Sequence, residues 1–512
     1  MEGRNFHERR PVHSLRAILS HRAEYSGLPD LLSLRKTLAA GGDAGQEKKA
    51  PLPYLPADGG LIFIAAQGTI TSDRYFFRKD VFCVLLYDTV IFDLDGTLTD
   101  SCPGIIACSK YALEKMGRPI PADETLQRFL GPPLADSFMR YCGMKEEEAA
   151  YATDLYRERY NPIGWKENNV FPRIRALLAE LKKRGAYLAV ATGKPQEASE
   201  RILSYFGLLP YLDAVAGPKL TDLHADKADL IRRVLPESRM KHAVMVGDTP
   251  GDIKGGQDCG IDTVGVLYGY GKNDEILAAK PTHVTETTDD LCHLLCPDMP
   301  APKGYFITLE GVDGCGKSTQ ANAMEARLRQ FGYSVHRTRE PGGCPLAEEI
   351  RKLLLAKEDG GMCPETEALL FAAARAQHIH QVILPKVAEG KIVLCDRFVD
   401  SSIAYQGDAR GLSREWIKEI NQAALSKGMP NATLYLRMSV EDAFSRRLAE
   451  SEPDRIEQMG LSFQQRIAEG YEKLMQENPD RYVPVQAAKP AEEVTEEAFQ
   501  KLFERLVREG VL

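Results

Sequence analysis

The sequence predicts an α/β protein with two parallel-sheet domains in series. Three observations carry that expectation. A chain of 512 residues exceeds what one hydrophobic core organises. Apolar, β-rich runs alternate with helical patterns twice along it, the pattern of a parallel sheet covered by helices. Between the two series lies PDMPAPK, residues 297–303, a short and stiff Pro-rich connection of the kind that separates domains. The expected organisation is therefore an N-terminal extension over 1–86, a first domain over 87–296, a linker over 297–303 and a second domain over 304–512.

Residues 1–86 hold 12 Lys and Arg against 9 Asp and Glu, include the stretch AAGGDAGQEKKAPLP and lack any sustained helical or strand period. They read as disordered or loosely packed. The first series predicts strands at Thr89–Leu94, Tyr187–Ala191, Ala243–Val246 and Thr263–Leu267. The second predicts strands at Tyr305–Glu310, Ser334–Thr338, Ile392–Cys395 and Thr433–Leu436. The final stretch, EEVTEEAFQKLFERLVREG, has apolar residues at helical spacing and reads as a closing amphipathic helix. No internal repeat relates the halves, which read as separate α/β units.

Composition excludes several classes. A net charge of −8 argues against a dedicated nucleic-acid binder, which needs a basic face. No apolar run approaches the roughly 18 residues of a membrane span, and MEGRNFHERRPVHS lacks the apolar core of a secretory signal. Eleven cysteines at irregular spacing, without a CxxC pair, favour reduced thiols and a cytoplasmic setting.

The first candidate site is VIFDLDGTLTDS, which places Asp93 and Asp95 just past a buried strand, where open α/β sheets bind ligands. Asp93 suits nucleophilic attack on phosphorus, giving an aspartyl-phosphate. Asp95 suits protonation of the leaving oxygen and then activation of water. Thr192, after the strand in AYLAVAT, offers a hydroxyl to a phosphoryl oxygen, and Lys227 in HADKADLI offers a cation to developing negative charge. Asp248 and Asp252 in VMVGDTPGD stand ready to complete, with Asp93 and Asp95, a site for Mg²⁺, a hard cation that takes oxygen ligands. This ordered series resembles the haloacid dehalogenase (HAD) superfamily of phosphatases across roughly 88–296. The resemblance implies a Rossmannoid core, with a helical cap at about 101–169, inside the 99-position separation of Asp93 and Thr192. FLGPPLADSF and GVLYGYG are similar to the branch holding phosphoglycolate phosphatases and 5′-nucleotidase-like enzymes. Thr249 stands where many relatives carry Arg, and Gly193 also departs from the pattern.

The second site is YFITLEGVDGCGKST, which fits GxxxxGK[ST] between a strand and a helix, the setting a phosphate-binding P-loop requires. Gly311, Val312, Asp313, Gly314, Cys315, Gly316, Lys317, Ser318 and Thr319 form the expected ATP cradle. Its backbone N–H groups converge on phosphate, Lys317 neutralises phosphate charge and Ser318 can ligate Mg²⁺. TREPGG, LLFAAARAQH and CDRFVDSSIAYQG follow. Together with the P-loop they resemble thymidylate kinase over nearly all of 304–512, implying a P-loop nucleoside monophosphate kinase fold. By that resemblance Phe371 stacks on thymine, Arg351 and Arg397 hold the 5′-phosphate of dTMP, and Arg375, Ser402 and Gln406 address the base edge. Asp313 and Tyr405 then lie near the sugar, and Asp396 lies by the Mg²⁺. SRRLAESEPDRIEQ matches the family's lid, with Arg446, Arg447 and Arg455 as its cations. Gly314 occupies a place where some relatives carry a P-loop arginine, and Arg437 replaces an acidic residue common in the family.

The resemblances imply a cytoplasmic enzyme that phosphorylates dTMP with ATP, behind a Mg²⁺-dependent phosphatase acting on nucleotides. The kinase resemblance also suggests a homodimer. Alternatives for the first domain are a sugar phosphate or phosphoglycolate substrate, or a non-catalytic regulatory role.

Overall fold

The computed structural model describes residues 85–219, 226–356, 361–450 and 459–511. The expected extension therefore falls, but for Leu85 and Leu86, outside the described residues, as does Arg455. In chain order the first strands are β1 (Thr89–Phe92), β2 (Thr99–Asp100), β3 (Asn169–Val170), β4 (Tyr187–Ala191), β5 (Ala214–Ala216), β6 (Ala243–Gly247), β7 (Asp262–Val266) and β8 (His283–Thr285). Six of them make one parallel sheet in the order β5-β4-β1-β6-β7-β8. The strand TVIF is buried at every residue, as expected of a central strand covered on both faces. The run ends at Phe92 rather than Leu94, because after Asp93 the chain turns through Gly96.

Between β2 and β3 comes a helical insertion, with helices Cys102–Lys115, Leu134–Cys142 and Glu146–Tyr160 among its elements. It has a hydrophobic cluster of its own, including Ile105, Leu113, Phe129, Phe138 and Leu155. Its two connections run side by side as the antiparallel pair β2–β3, with Thr99 opposite Val170 and Asp100 opposite Asn169.

The second group comprises β9 (Tyr305–Glu310), β10 (Val335–Arg339), β11 (Ile392–Asp396), β12 (Ala432–Arg437) and β13 (Tyr482–Gln486). They form a five-stranded parallel sheet in the order β10-β11-β9-β12-β13. The closing helix spans Ala491–Arg508 and buries Val494, Ala498, Phe499, Leu502 and Leu506, the stripe its period predicts.

The two sheets are separate, but their packing is continuous. One buried cluster contains Leu177, Phe206 and Leu208 beside the first sheet together with Phe331, Phe499 and Leu502 beside the second. Among the described residues no helix is long and apolar enough to cross a membrane.

Candidate active sites

Strands β4, β1 and β6 are neighbours in one parallel register, with Phe92 opposite both Val190 and Val246. The residue that follows each strand therefore emerges on the same edge of the sheet. Those residues are Thr192, Asp93 and Asp248. Backbone bonds hold them there: Asp93 N donates to Val246 O at 2.9 Å, and Thr192 N donates to Ala216 O at 2.9 Å.

Carboxylate oxygens of Asp93, Asp248 and Asp252 all lie within 4.8 Å of one another, and all three residues are buried. The Lys227 ammonium reaches Asp93 Oδ1 at 2.7 Å, Asp252 Oδ1 at 2.6 Å and the Ala191 carbonyl at 2.9 Å. Asp248 is fixed by Thr97 Oγ1 at 3.2 Å and by the Tyr270 N–H at 2.8 Å. Gly96 is left-handed, and a Cβ there would meet Asp248 Oδ2 at 2.2 Å. Only glycine lets the turn and that carboxylate approach so closely.

Three buried carboxylates facing one lysine leave an excess of negative charge. Burial pushes Asp93 up to about 7, with Asp252 and Asp248 adding to it against the pull of Lys227. Burial and Asp252 push Asp248 up to about 7 as well. Lys227 is held above its ordinary value: burial opposes its charge, but Asp252 and Asp93 outweigh it. All-oxygen donors with this charge excess fit a hard divalent cation.

The Asp95 carboxylate is turned away from this trio. Its Oδ2 pairs with Lys194, while its Oδ1 is buried without a partner. Burial works against the Lys194 charge, but Asp95 and Tyr160, the last residue of an insertion helix, outweigh it and hold its pKa above the ordinary value, so Lys194 feels both the sheet edge and the inserted segment. Thr249 stands directly before the next helix. It closes a capping box on helix Pro250–Asp258, its hydroxyl bonding Asp252 Oδ2 at 2.7 Å, which orients a member of the trio.

At the second sheet the loop Gly311–Gly316 joins central β9 to helix Lys317–Gln330. Lys317 donates to the carbonyls of Gly311 at 3.0 Å and Val312 at 2.8 Å. Ser318 Oγ donates to Asp396 Oδ2 at 3.0 Å, and Asp396 Oδ1 is buried and unpartnered. Thr319 is exposed one residue further on, while Val312 and Cys315 are buried.

Asp313 is the hub of this site. It pairs with Arg397 and accepts from Tyr405 at 2.7 Å and Gln464 at 3.4 Å. Burial works to raise its pKa, but Arg397 and Lys317 hold it below the ordinary value. Arg397 has a left-handed backbone, φ 69°, an uncommon conformation for a long side chain that tends to mark functional positions.

Arg375 is buried and donates to Glu340 at 2.7 Å, Asn421 at 2.7 Å, Ser402 at 3.1 Å and the Phe398 carbonyl at 3.2 Å. Gln406 is buried and donates to Glu367 at 2.9 Å. Phe371 is half-buried against the core, and Arg351 donates to the Pro341 carbonyl at 2.8 Å.

Helix Val440–Glu450 closes on the P-loop. A Cβ on left-handed Gly314 would lie 2.0 Å from the Ala443 carbonyl oxygen and 3.1 Å from Arg447 Cβ. No side chain fits there, and the neighbouring helix brings Arg447 to the loop instead. Arg446 lies further along, 3.4 Å from the Ala487 carbonyl. Arg437 is matched by Glu472, with contacts of 2.8 and 3.0 Å.

The family model for thymidylate kinase matches residues 309–498. A thymidylate kinase from Halalkalibacterium halodurans is 45% identical over 206 residues, 40% of this chain and 98% of that protein. One from Pseudomonas putida is 48% identical over 191 residues, 37% of this chain and 91% of that protein. The chain belongs to the thymidylate kinase family. The family model for haloacid dehalogenase-like hydrolases matches residues 90–266. Among solved structures, a haloacid dehalogenase-like family hydrolase from Streptococcus pneumoniae is 28% identical, covering 40% of this chain and 97% of that one, with a TM-score of 0.37. A "predicted phosphatase" from Clostridium acetobutylicum is 39% identical, covering 40% and 96%, with a TM-score of 0.37.

Lys194, Glu340, Asn421 and Gln464 are among the residues of these sites that escaped the sequence reading. Lys194 follows Thr192 by two positions, and the Lys-Pro after the Thr-Gly was its only local mark. Glu340, Asn421 and Gln464 reach their partners from 35, 46 and 151 residues away, so no spacing announces them.

Proposed function

We propose that the kinase region transfers the γ-phosphoryl group of ATP to dTMP, forming dTDP. The region before it is a Mg²⁺-dependent phosphatase working through an aspartyl-phosphate. On this reading the chain divides into a phosphatase over 87–296 with its cap at about 101–169, a linker over 297–303 and a kinase over 304–512. The enzyme is cytoplasmic and pairs through the kinase region. The exposed Leu346, Leu353 and Leu369 on two packed helices support a partner face there.

The observation that carries the kinase reading is the hub at Asp313. It ties the P-loop to Arg397 and Tyr405, residues the family resemblance assigns to the acceptor, so that donor and acceptor phosphates meet beside Lys317. In this mechanism Lys317 releases the loop carbonyls and offers its charge to the β/γ-phosphates. Arg397 and Arg351 hold the acceptor phosphate with guanidinium forks. Phe371 stacks on the base, while Arg375, already fixed by Glu340 and Asn421, presents Ser402 and its own edge to it. Arg447 and Arg446 bring cationic charge from the helix that closes on Gly314.

In the phosphatase an Asp93 oxygen attacks phosphorus and the ester P–O bond breaks, with Asp95 delivering a proton to the departing oxygen. Asp95 then takes a proton from water as that water attacks the aspartyl-phosphate, releasing phosphate and restoring Asp93. Thr192 and Lys227 hold phosphoryl oxygens. Asp93, Asp248 and Asp252 in this region, and Ser318 and Asp396 in the kinase region, would hold Mg²⁺, which would supply positive charge against the phosphoryl oxygens. The substrate is a phosphate monoester, nucleotides being the first candidates.

The test is product analysis with the full chain. Incubation with ATP, Mg²⁺ and dTMP yields dTDP, and phosphate release is then compared for dUMP, dTMP and phosphoglycolate. An absence of dTDP overturns the kinase reading. Phosphate release only from phosphoglycolate overturns the nucleotide assignment.

A further inference from the structure

The helix that begins with the P-loop lysine ends against the hinge of the inserted cap. Every covalent path between the cap and its sheet runs through the β2–β3 pair, four residues in all. Rotations of an inserted domain are absorbed at such few-residue crossings. Beside this pair sits Gly332, which with Phe331 directly follows helix Lys317–Gln330. A Cβ on Gly332 would lie 3.2 Å from the Phe171 carbonyl oxygen and 3.3 Å from Val170 Cγ1. Gln330 Nε2 donates to the Lys166 carbonyl at 2.5 Å, on the cap side of β3.

The joint is fastened on both sides. The Phe331 ring is buried, 5.0 Å from Phe206 and 5.8 Å from Tyr205 of the phosphatase region, and 4.5 Å from Phe499 and 5.1 Å from Phe503 of the kinase region. Arg175, four residues beyond Phe171, is buried, donates to the Phe206 and Gly207 carbonyls, and lies 4.9 Å over the Phe503 ring. Arg327 lies 5.0 Å from the Tyr205 ring and 4.9 Å from that of Phe499. Trp165, at the end of the cap, meets Tyr205 edge-on at 5.1 Å.

The hinge itself carries unspent polar groups. Both amide atoms of Asn168 and the Ser101 hydroxyl are buried without partners. These residues immediately flank the two strands on the cap side. Buried polar groups ordinarily find partners, and these three atoms lie where the cap joins its sheet.

We infer that the P-loop helix is a strut coupling the triphosphate site of the kinase to the cap of the phosphatase. Filling the P-loop fixes the start of the helix, and its far end, about 21 Å away at 1.5 Å per residue, shifts the balance of cap positions through Phe331 and Gly332. The inference rests on the P-loop reading above. Thermodynamic reciprocity requires cap closure to change nucleotide affinity by the same factor.

Hydrogen–deuterium exchange on the full chain, with and without ADP and Mg²⁺, reads both ends independently of any turnover. Nucleotide slows amides in 311–319 and changes exchange of the 169–171 amides by at least about threefold. The substitution Phe331→Leu keeps the joint apolar but removes the ring contacts. It leaves the protection of 311–319 in place and abolishes the response at 169–171. Phe331→Ala is the more severe form, and Phe331→Leu decides the matter if that variant does not fold. Unchanged exchange at 169–171 despite protection of 311–319 overturns the coupling and leaves the kinase reading intact. Absence of protection at 311–319 overturns both.

Discussion

Asp93, buried, and Asp313, half-buried, both stand beyond a covered strand of a parallel sheet, yet their charge environments are opposite. Asp93 shares its space with Asp248 and Asp252 against one lysine, and burial pushes it up to about 7. Asp313 is surrounded by Arg397 and Lys317, which overcome the effect of burial and hold it down. Burial works in the same direction at both, yet the results are contrary, because neighbouring charge decides which form is favoured. The first site accumulates negative charge and calls for a cation. The second accumulates positive charge to meet phosphates, with Asp313 as the strut that keeps its arginine in place.

The harshest way to break the comparison is Asp93→Asn, which keeps the shape and removes the nucleophile. Phosphatase turnover falls by at least about a thousandfold, and no phosphoenzyme survives acid quench. The formation of dTDP stays within about twofold, as for distant sites without shared partners. Residual phosphatase activity near that of the parent would remove Asp93 from the chemistry.

Lys317→Ala removes a cation from the other site. We expect dTDP formation to drop by about 10²–10³-fold, the scale of losing one charge-stabilising donor, with an unaltered circular dichroism spectrum. Near-normal turnover in a coupled assay would show that the arginines suffice without it.

Phe371→Ala sharpens the contrast by testing recognition that owes nothing to charge. Stacking is worth roughly 1–3 kcal/mol, so calorimetry should find dTMP binding weakened accordingly while ATP binding holds. Equal losses for both ligands would point to damaged packing.

The smallest effect belongs to Arg437→Ala. Its pair with Glu472 is more than a third exposed on each side, and such pairs contribute about 0–1 kcal/mol. A thermal melt should therefore move by only a few degrees at most. A larger fall would make this pair part of the closing machinery.

Legibility in the sequence followed the physics of each element. Tyr187–Ala191 and Tyr305–Glu310 appear with their predicted bounds, because central strands covered on both faces are uninterrupted apolar runs. The strands Ala214–Ala216, His283–Thr285 and Tyr482–Gln486 went unread. Each lies at an edge of its sheet, short or mixed in polarity, and lacks that signal. The aspartates and the P-loop were visible because a motif binds them to a strand end. The support of Arg375 was not, since Glu340, His378 and Asn421 converge only in the folded chain. Nor does anything in the spacing of Phe206, Phe331 and Phe503 announce that these aromatic residues meet where the two regions pack.

The contact between Gly314 and the Ala443 carbonyl has a consequence for how this kinase could change over generations. An arginine in the loop and a helix seated on the loop compete for one volume. A single substitution at Gly314 meets a blocked position before it can supply any benefit, so the helix has to withdraw first. Withdrawal carries Arg447 away from the loop as well, since its Cβ lies 3.1 Å from the same point. The two arrangements therefore exclude one another: a side chain at position 314 and helix Val440–Glu450 in its present seat cannot occupy that volume together.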